Sequence, residues 1–303
     1  MHTKKIGHTG TLDTFADGLL VALAGRLTRL VSYITDCDKE YLAEITFGTE
    51  TDTLDPEGKV VLTSPLPRLD NLLASLASFR GNIQQQPPVY SAVHVSGQRS
   101  SDRVRNGQTV ELPFRRITIH SIEVLETRTA DGILPKTDSP IHSMKLRIVC
   151  SKGTYIRSLA RDIAHSCASC GHLSALRRTR IGPFKLEDAA GVSLLAPFGS
   201  VLPAAYGIGD RPPQASSEEI TKTMQVFTAT MAPVIGLNPL FLESSCSEGF
   251  LNGKSPMHDW FSGFRKTHDY NANSAVFCGE RFFGVISFID RKPVYEFVAG
   301  RDV

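Results

Sequence analysis

The sequence predicts an α+β fold for its first two thirds and a small β-rich module at its C-terminal end. Three observations carry this expectation. Strand-like and helix-like apolar spacings occur in mixed order over the first part of the chain, the pattern lapses between Ala196 and Pro233, and only strand-like runs follow. At roughly 150 residues per domain, 303 residues suggest two domains, and a composition 41% hydrophobic and 21% charged is that of a globular chain with a full core. The expected units are residues 1–196, a linker over 197–232, and a module over 233–303.

In the first unit, Leu19 to Ala24 reads as a short buried strand, and Leu27, Leu30, Val31 and Ile34 then recur at helical spacing. Tyr41 to Phe47 alternates as a strand, and Asp55-Pro56-Glu57-Gly58 supplies turn chemistry before Val60-Val61-Leu62, which predicts a hairpin. Leu69, Leu72, Leu73, Leu76 and Phe79 form one face of a helix that Gly81 ends. Ile117 to Leu125 and Met144 to Cys150 read as strands, and Thr154 to Cys167 as a helix with Ile156, Leu159, Ala160 and Ile163 turned inward. In the expected linker, Pro197, Pro203, Gly207, Gly209, Pro212 and Pro213 interrupt any period. Beyond it, Ala275–Phe277, Phe282–Ile289 and Val294–Val298 are strand-like.

The absence of an 18-residue apolar run, and of an apolar segment after Met1-His2-Thr3-Lys4-Lys5, gives the expectation of a cytoplasmic protein with no membrane contact. The six cysteines are too sparse for a disulfide framework and are expected as reduced thiols. Charge is unevenly placed. From Ser143 to Lys185 nine basic residues (Lys145, Arg147, Lys152, Arg157, Arg161, Arg177, Arg178, Arg180, Lys185) face Asp162 alone, a local +8 in a chain of net +2, so the remainder carries −6. Such a segment fits a polyanionic partner or, equally, a solvated face.

Candidate chemistry concentrates near the start. Lys5-Ile6-Gly7-His8-Thr9-Gly10-Thr11-Leu12-Asp13 presents one carboxylate at the end of a glycine-flanked loop, and Asp17-Gly18 follows. On spacing alone, Asp13 is better read as a turn or helix-capping aspartate. The order of several segments says more. Gly7-His8-Thr9-Gly10-Thr11-Leu12-Asp13 precedes an Ala-x-Gly-Leu-Leu sequence, then Asp38-Lys39-Glu40-Tyr41, then Thr51-Asp52-Thr53-Leu54-Asp55-Pro56-Glu57-Gly58. Gln86-Pro87-Pro88-Val89-Tyr90-Ser91-Ala92, Ser151-Lys152-Gly153-Thr154-Tyr155-Ile156-Arg157-Ser158-Leu159 and Leu176-Arg177-Arg178 complete the series. This ordered set, over about residues 4 to 190, resembles the TruB family of tRNA pseudouridine synthases.

The resemblance implies a mixed, largely antiparallel central sheet flanked by helices, and an isomerase that converts uridine to pseudouridine in the T loop of tRNA at position 55. It implies Asp13 as the catalytic carboxylate, Arg157 as its guanidinium partner and Tyr41 against the target uracil. His8 would lie beside a nucleotide flipped from its stack, and Tyr155 and Leu176 would line the base pocket. Lys152, Arg177 and Arg178 are expected on RNA phosphates, which gives the basic segment a use. A bidentate guanidinium on Asp13 would keep it ionised and aimed. The reaction is redox-neutral, and no cofactor, metal or obligate protein partner is expected.

Two departures from the family pattern stand out. Thr14 occupies the place of a proline after the Leu-Asp pair, and the family's opening strand-and-helix segment is expected ahead of a motif that here follows almost at once. The C-terminal module is expected as an RNA-binding β domain of the same kind. Rival readings are a guide-RNA-dependent pseudouridine synthase, disfavoured by the D-K-x-Y and T-D-T-x-D segments, and an RNA-binding protein that has lost catalysis. An aspartyl phosphatase is poorer still, since its nucleophile would follow an apolar strand and precede an x-Asp pair, which Asp13-Thr14-Phe15 does not supply. His165, Cys167, Cys170 and His172 invite a zinc reading, but four ligands packed at a helix end are poorly spaced for a tetrahedron, and Gly171 reads as the helix cap.

Overall fold

The computed structural model describes residues 4–91, 93–95, 97–133, 135–199, 214–262 and 270–300. At its centre is a seven-stranded sheet. Along it lie Phe184–Lys185, Gly171–Ile181, Lys39–Phe47, Ser143–Cys150, Arg115–Arg128 and Gly81–Gln85, each antiparallel to the next. Asp17–Gly18 adds the only parallel pairing, against Arg177 and Arg178. One face of this sheet is apolar because period-two residues of its middle strands, Ala43, Ile45, Phe47, Met144, Leu146, Ile148 and Cys150, all point to it. Against them pack Ile156, Leu159, Ala160 and Ile163 of the Ile156–Ser166 helix, and Leu72 and Leu76.

The predicted strands and helices of this region are present, with longer strands than the apolar runs alone marked. The expected Leu19–Ala24 strand is confined to Ala22–Ala24, paired with Ile6–His8, because the Leu19 N–H and carbonyl are both taken by Arg178. Helical spacing after Leu27 becomes a 3-10 turn over Gly25–Leu30 and an α-helix over Val31–Asp36. The hairpin joins Thr49–Thr51 to Val60–Thr63.

Gly171 does not cap the preceding helix. Ser166 is its last residue, Ala168 takes the left-handed conformation (φ 53°) that reverses the chain, and Gly171 opens the longest unpredicted strand, Gly171–Ile181. Two bulges, at Leu173/Ala175 and Arg178/Arg180, break that strand's period of two and leave no alternation to read.

The C-terminal module is a five-stranded sheet ordered Phe261–Ser262, Asn238–Leu242, Ser274–Cys278, Arg281–Ile289, Lys292–Val298. One face holds Leu240, Leu242, Phe250 and Phe283. The other is buried against the first unit, where Phe277, Phe282, Val285 and Phe297 share a core with Leu19, Leu23, Leu30 and Ile34. Of the expected linker, 200–213 lies outside the described residues. Ser217–Thr223 is a helix, with the Ser216 hydroxyl accepting from the Glu219 N–H, and Phe227 and Ala232 are buried in the shared core. Among the described residues, no helix is long and apolar enough to cross a membrane.

Candidate active site

Arg157 organises the site. It lies in the first turn of the Ile156–Ser166 helix, is 5% exposed, and points away from the helix axis into the gap between two loops. Its Nη2 donates to Asp13 Oδ1 (2.9 Å) and to the Tyr90 carbonyl (3.0 Å), while Nη1 donates to Asp55 Oδ2 (3.3 Å) and to the Thr53 carbonyl (2.8 Å). A buried guanidinium needs such partners to offset its desolvation. The expected bidentate grip on Asp13 is therefore replaced by a bridge, one carboxylate on each Nη. The helix start is fixed independently, since Gln85 Oε1 accepts from the Tyr155 N–H and its Nε2 donates to the Tyr155 carbonyl.

Asp55 is the buried partner, 6% exposed, and accepts from the Thr53 hydroxyl and the Glu57 N–H within its own turn. That turn is tight enough to require Gly58, where a Cβ would fall 2.3 Å from Thr53 Oγ1. Asp13 is the open partner, with 36% of its side chain exposed. Beyond it Phe15 is buried in the sheet core, and the Thr14 hydroxyl donates to Glu57 (2.9 Å), which ties the Asp13 loop to the Asp55 turn. Burial raises the Asp13 pKa above the usual aspartate value; Arg157 opposes the shift, and the nearby Asp55 and Glu57 carboxylates reinforce it. The arrangement holds one accessible carboxylate oriented by a cation that it shares with a second, buried one.

Tyr41 sits on the Lys39–Phe47 strand, packs against the sheet core, and faces Arg178 across the strand pair. Its phenol is pushed up to about 12, chiefly by burial, so it stays neutral throughout the working range. Leu176 is buried in the core opposite Ala43. Tyr155 is half-buried against Val93, Val110 and Leu112. His8 is exposed on the short Ile6–His8 strand, with Nδ1 accepting from the Gly10 N–H.

Asp13, Arg157 and Tyr41 are thus brought together, but the expected phosphate contacts are redistributed. Arg177 holds Asp17 with Nε (2.5 Å) and Nη2 (2.6 Å), and Arg178 is 3% exposed with its donors on backbone carbonyls. Neither faces solvent for RNA. Lys152 is exposed, beside Asp36 at 2.7 Å. All nine cations of the basic segment have a protein partner: Lys145 on Glu126, Arg147 on Glu123, Arg161 on Asp162, Arg180 on Glu40 and the Gly182 carbonyl, and Lys185 on Glu187 complete them. Arg99, Arg115 and Arg116 are instead exposed with no carboxylate or carbonyl partner among the described residues, and Phe114 beside them is 65% exposed. Arg115 pairs in register with Gln85, the residue that fixes Tyr155.

The His/Cys group of the helix end is dispersed. His165 meets Glu50 (2.6 Å), His172 meets the Thr49 carbonyl (2.8 Å), and Cys170 is buried with its Sγ on Ser64 (3.1 Å). Among the described residues no three His, Cys, Asp or Glu side chains converge as a metal site would require.

Residues 1–156 match the model of the TruB family pseudouridylate synthase N-terminal domain. The chain belongs to the TruB family. A tRNA pseudouridine synthase B of Treponema denticola is 42% identical over 325 aligned residues, covering 98% of this chain and 91% of that protein. Its counterpart in Treponema pallidum is 38% identical, covering 93% of this chain and 86% of that one. Among solved structures, a Cbf5-Nop10-Gar1 complex aligns at a TM-score of 0.61 with 22% identity, over 99% of this chain and 78% of the other. An H/ACA RNP bound to a substrate RNA containing 2'-deoxyuridine aligns at 0.60 with 20% identity, over 99% and 76%. These structures share the fold. As a TruB-family pseudouridylate synthase, the chain is an isomerase, and Asp13 and Arg157 stand in the motifs that first suggested the family.

Proposed function

We propose that this enzyme converts the T-loop uridine at position 55 of tRNA to pseudouridine, with Asp13 as the catalytic carboxylate. The observation that carries the reading is Asp13 itself, the one carboxylate of the Arg157 cluster open to a substrate. Breaking the base–ribose C–N bond, turning the base and rejoining it through carbon moves one hydrogen from that carbon to the freed ring nitrogen and changes no oxidation state. A carboxylate serves such an exchange as a nucleophile that splits it into two easier steps. Arg157 aims it, while the buried Asp55 on the other Nη keeps the guanidinium from turning.

A uracil stacked inside a folded loop must swing out to meet Asp13. Tyr41 then offers a neutral ring face, Tyr155 and Leu176 border the base, and His8 lies outside on the nucleotide. Phosphate contacts fall to Lys152 and to Arg99, Arg115 and Arg116, with Phe114 available for stacking. The test is to incubate the purified chain with unmodified tRNA and map pseudouridine by chemical labelling, in parallel with a tRNA carrying cytidine at position 55. Conversion at 55 in the first and none in the second is expected. Label elsewhere, or none at all, would overturn the reading.

A further inference from the structure

The sequence pointed Arg178 at an RNA phosphate, and its burial leaves the question of what it does instead. Its guanidinium lies beneath the catalytic loop rather than on the surface. Nε donates to the Leu19 carbonyl (2.8 Å) and Nη2 to the Gly10 carbonyl (3.0 Å), so a single planar group grips both ends of the loop that carries Asp13. Its backbone joins in, because the Arg178 carbonyl accepts from the Leu19 N–H (2.8 Å). The approach is so close that a Cβ on Gly18 would sit 2.4 Å from the Arg178 carbonyl oxygen, and Gly18 has the positive φ (111°) that glycine adopts freely. On the other side Arg178 is the cross-strand neighbour of Tyr41, and the phenol faces its guanidinium.

Resting on the roles proposed for Asp13 and Tyr41, we infer that Arg178 is a positioning residue that sets the Asp13 loop and the Tyr41 ring in register through one rigid guanidinium. The physical reason for an arginine is geometric. The Gly10 and Leu19 carbonyls lie at the two mouths of the loop, and two fixed N–H directions in one plane define their separation. A lysine ammonium supplies charge but no such span. The loop between these points is otherwise held by Phe15 in the core, the Thr14–Glu57 bond, the Arg157–Asp13 contact, the Arg177–Asp17 ion pair and the pairing of Asp17–Gly18 with the Gly171–Ile181 strand. None of these involves Tyr41. Arg178 is the group that bonds the loop and pairs across the strands with Tyr41.

The experiment compares wild type, Arg178→Lys and Arg178→Ala, the last with and without low guanidinium chloride, and includes Asp13→Asn. Chemical rate is read under single-turnover conditions with saturating enzyme, tRNA affinity is read against salt, and folded content by circular dichroism. A displacement of about 1 Å at the reacting groups corresponds to about a 100-fold loss of rate, the effect expected for Arg178→Lys. Affinity and its salt slope should stay near wild type. Guanidinium should return part of the rate to Arg178→Ala, since it can refill the vacated space and bond the same carbonyls.

A wild-type chemical rate in Arg178→Lys would overturn the inference. So would weaker binding with a flatter salt slope and an unaltered chemical step, which is the signature of a phosphate contact. Rate loss that only tracks loss of folded protein in both variants, without recovery by guanidinium, would reduce Arg178 to a stabilising residue and equally overturn it. Isomerisation by Asp13→Asn strikes instead at the proposed nucleophile and leaves the Arg178 result separately readable.

Discussion

Between Ser143 and Lys185 every cation is occupied by a protein partner, whereas Arg99, Arg115 and Arg116 project without one among the described residues. The first segment holds most of the excess charge in the sequence and contributes little of it to the surrounding field. Its arginines neutralise Asp13, Asp55 and Asp17 or bond backbone carbonyls. A charge count along a chain measures composition. The field a polyanion meets depends on which cations remain uncompensated after folding, and Arg115 and Arg116, at the start of the Arg115–Arg128 strand, are among them.

The most severe way to disturb the occupied set is Asp13→Asn, which keeps shape and removes the open carboxylate. Isomerisation in single-turnover assays should fall below detection while tRNA still binds, and appreciable turnover would reject Asp13 as nucleophile. Asp55→Asn comes next. It leaves Arg157 buried with only a partly exposed counter-charge, and removing one partner of such a pair costs about 3–5 kcal/mol, readable in urea melts together with a reduced chemical rate. An unaltered melt would mean that Asp55 is no structural counterweight.

A smaller effect sharpens the other side of the contrast. Arg115→Gln and Arg116→Gln should each flatten the plot of log affinity against log salt by about 0.7 if they neutralise single-strand phosphates. Arg177→Gln should leave that slope alone, because Arg177 is spent on Asp17. The reverse outcome would restore the basic segment as the RNA face. Least in size is a shift with pH. Since burial raises the Asp13 pKa, the carboxylate is ionised only above that raised value, and rate should fall as pH drops through it, at higher pH than an ordinary aspartate would dictate. Glu57→Gln removes one of the charges that raise it, so the acid limb should move to lower pH; a limb that stays in place would separate Glu57 from Asp13.

The apolar periods revealed the middle of the sheet and the helix that packs on it because each of those elements buries one continuous face. The Gly171–Ile181 strand was hidden by its two bulges and by the arginines it carries inward. At the candidate site, Asp13, Tyr41 and Arg157 were proposed from the order of motifs rather than from any local pattern. Asp55 lay in view within a turn, yet nothing in Asp-Pro-Glu-Gly distinguishes a turn aspartate from one aimed at an arginine 102 positions away. Lys39 is similar, since its motif does not say that it is buried with Nζ on the Thr35 and Cys37 carbonyls at the end of the Val31–Asp36 helix. Long-range polar pairings carry no period, so sequence spacing cannot report them.

The core that joins Leu19, Leu23, Leu30 and Ile34 to Phe277, Phe282 and Phe297 also imposes an order in time. The segment behind the Asp13 loop leaves the ribosome well before the aromatic side chains that cover it, which are made more than two hundred residues later. At roughly 5–20 residues per second, those leucines wait for tens of seconds with their cover incomplete, Ile181, Phe227 and Ala232 arriving before the last aromatics. Closing so long a loop is slow and comes late. The face behind the Asp13 loop is therefore closed only after the last sheet is made, and a chain interrupted before that sheet emerges with sticky leucines where the folded protein has a seam.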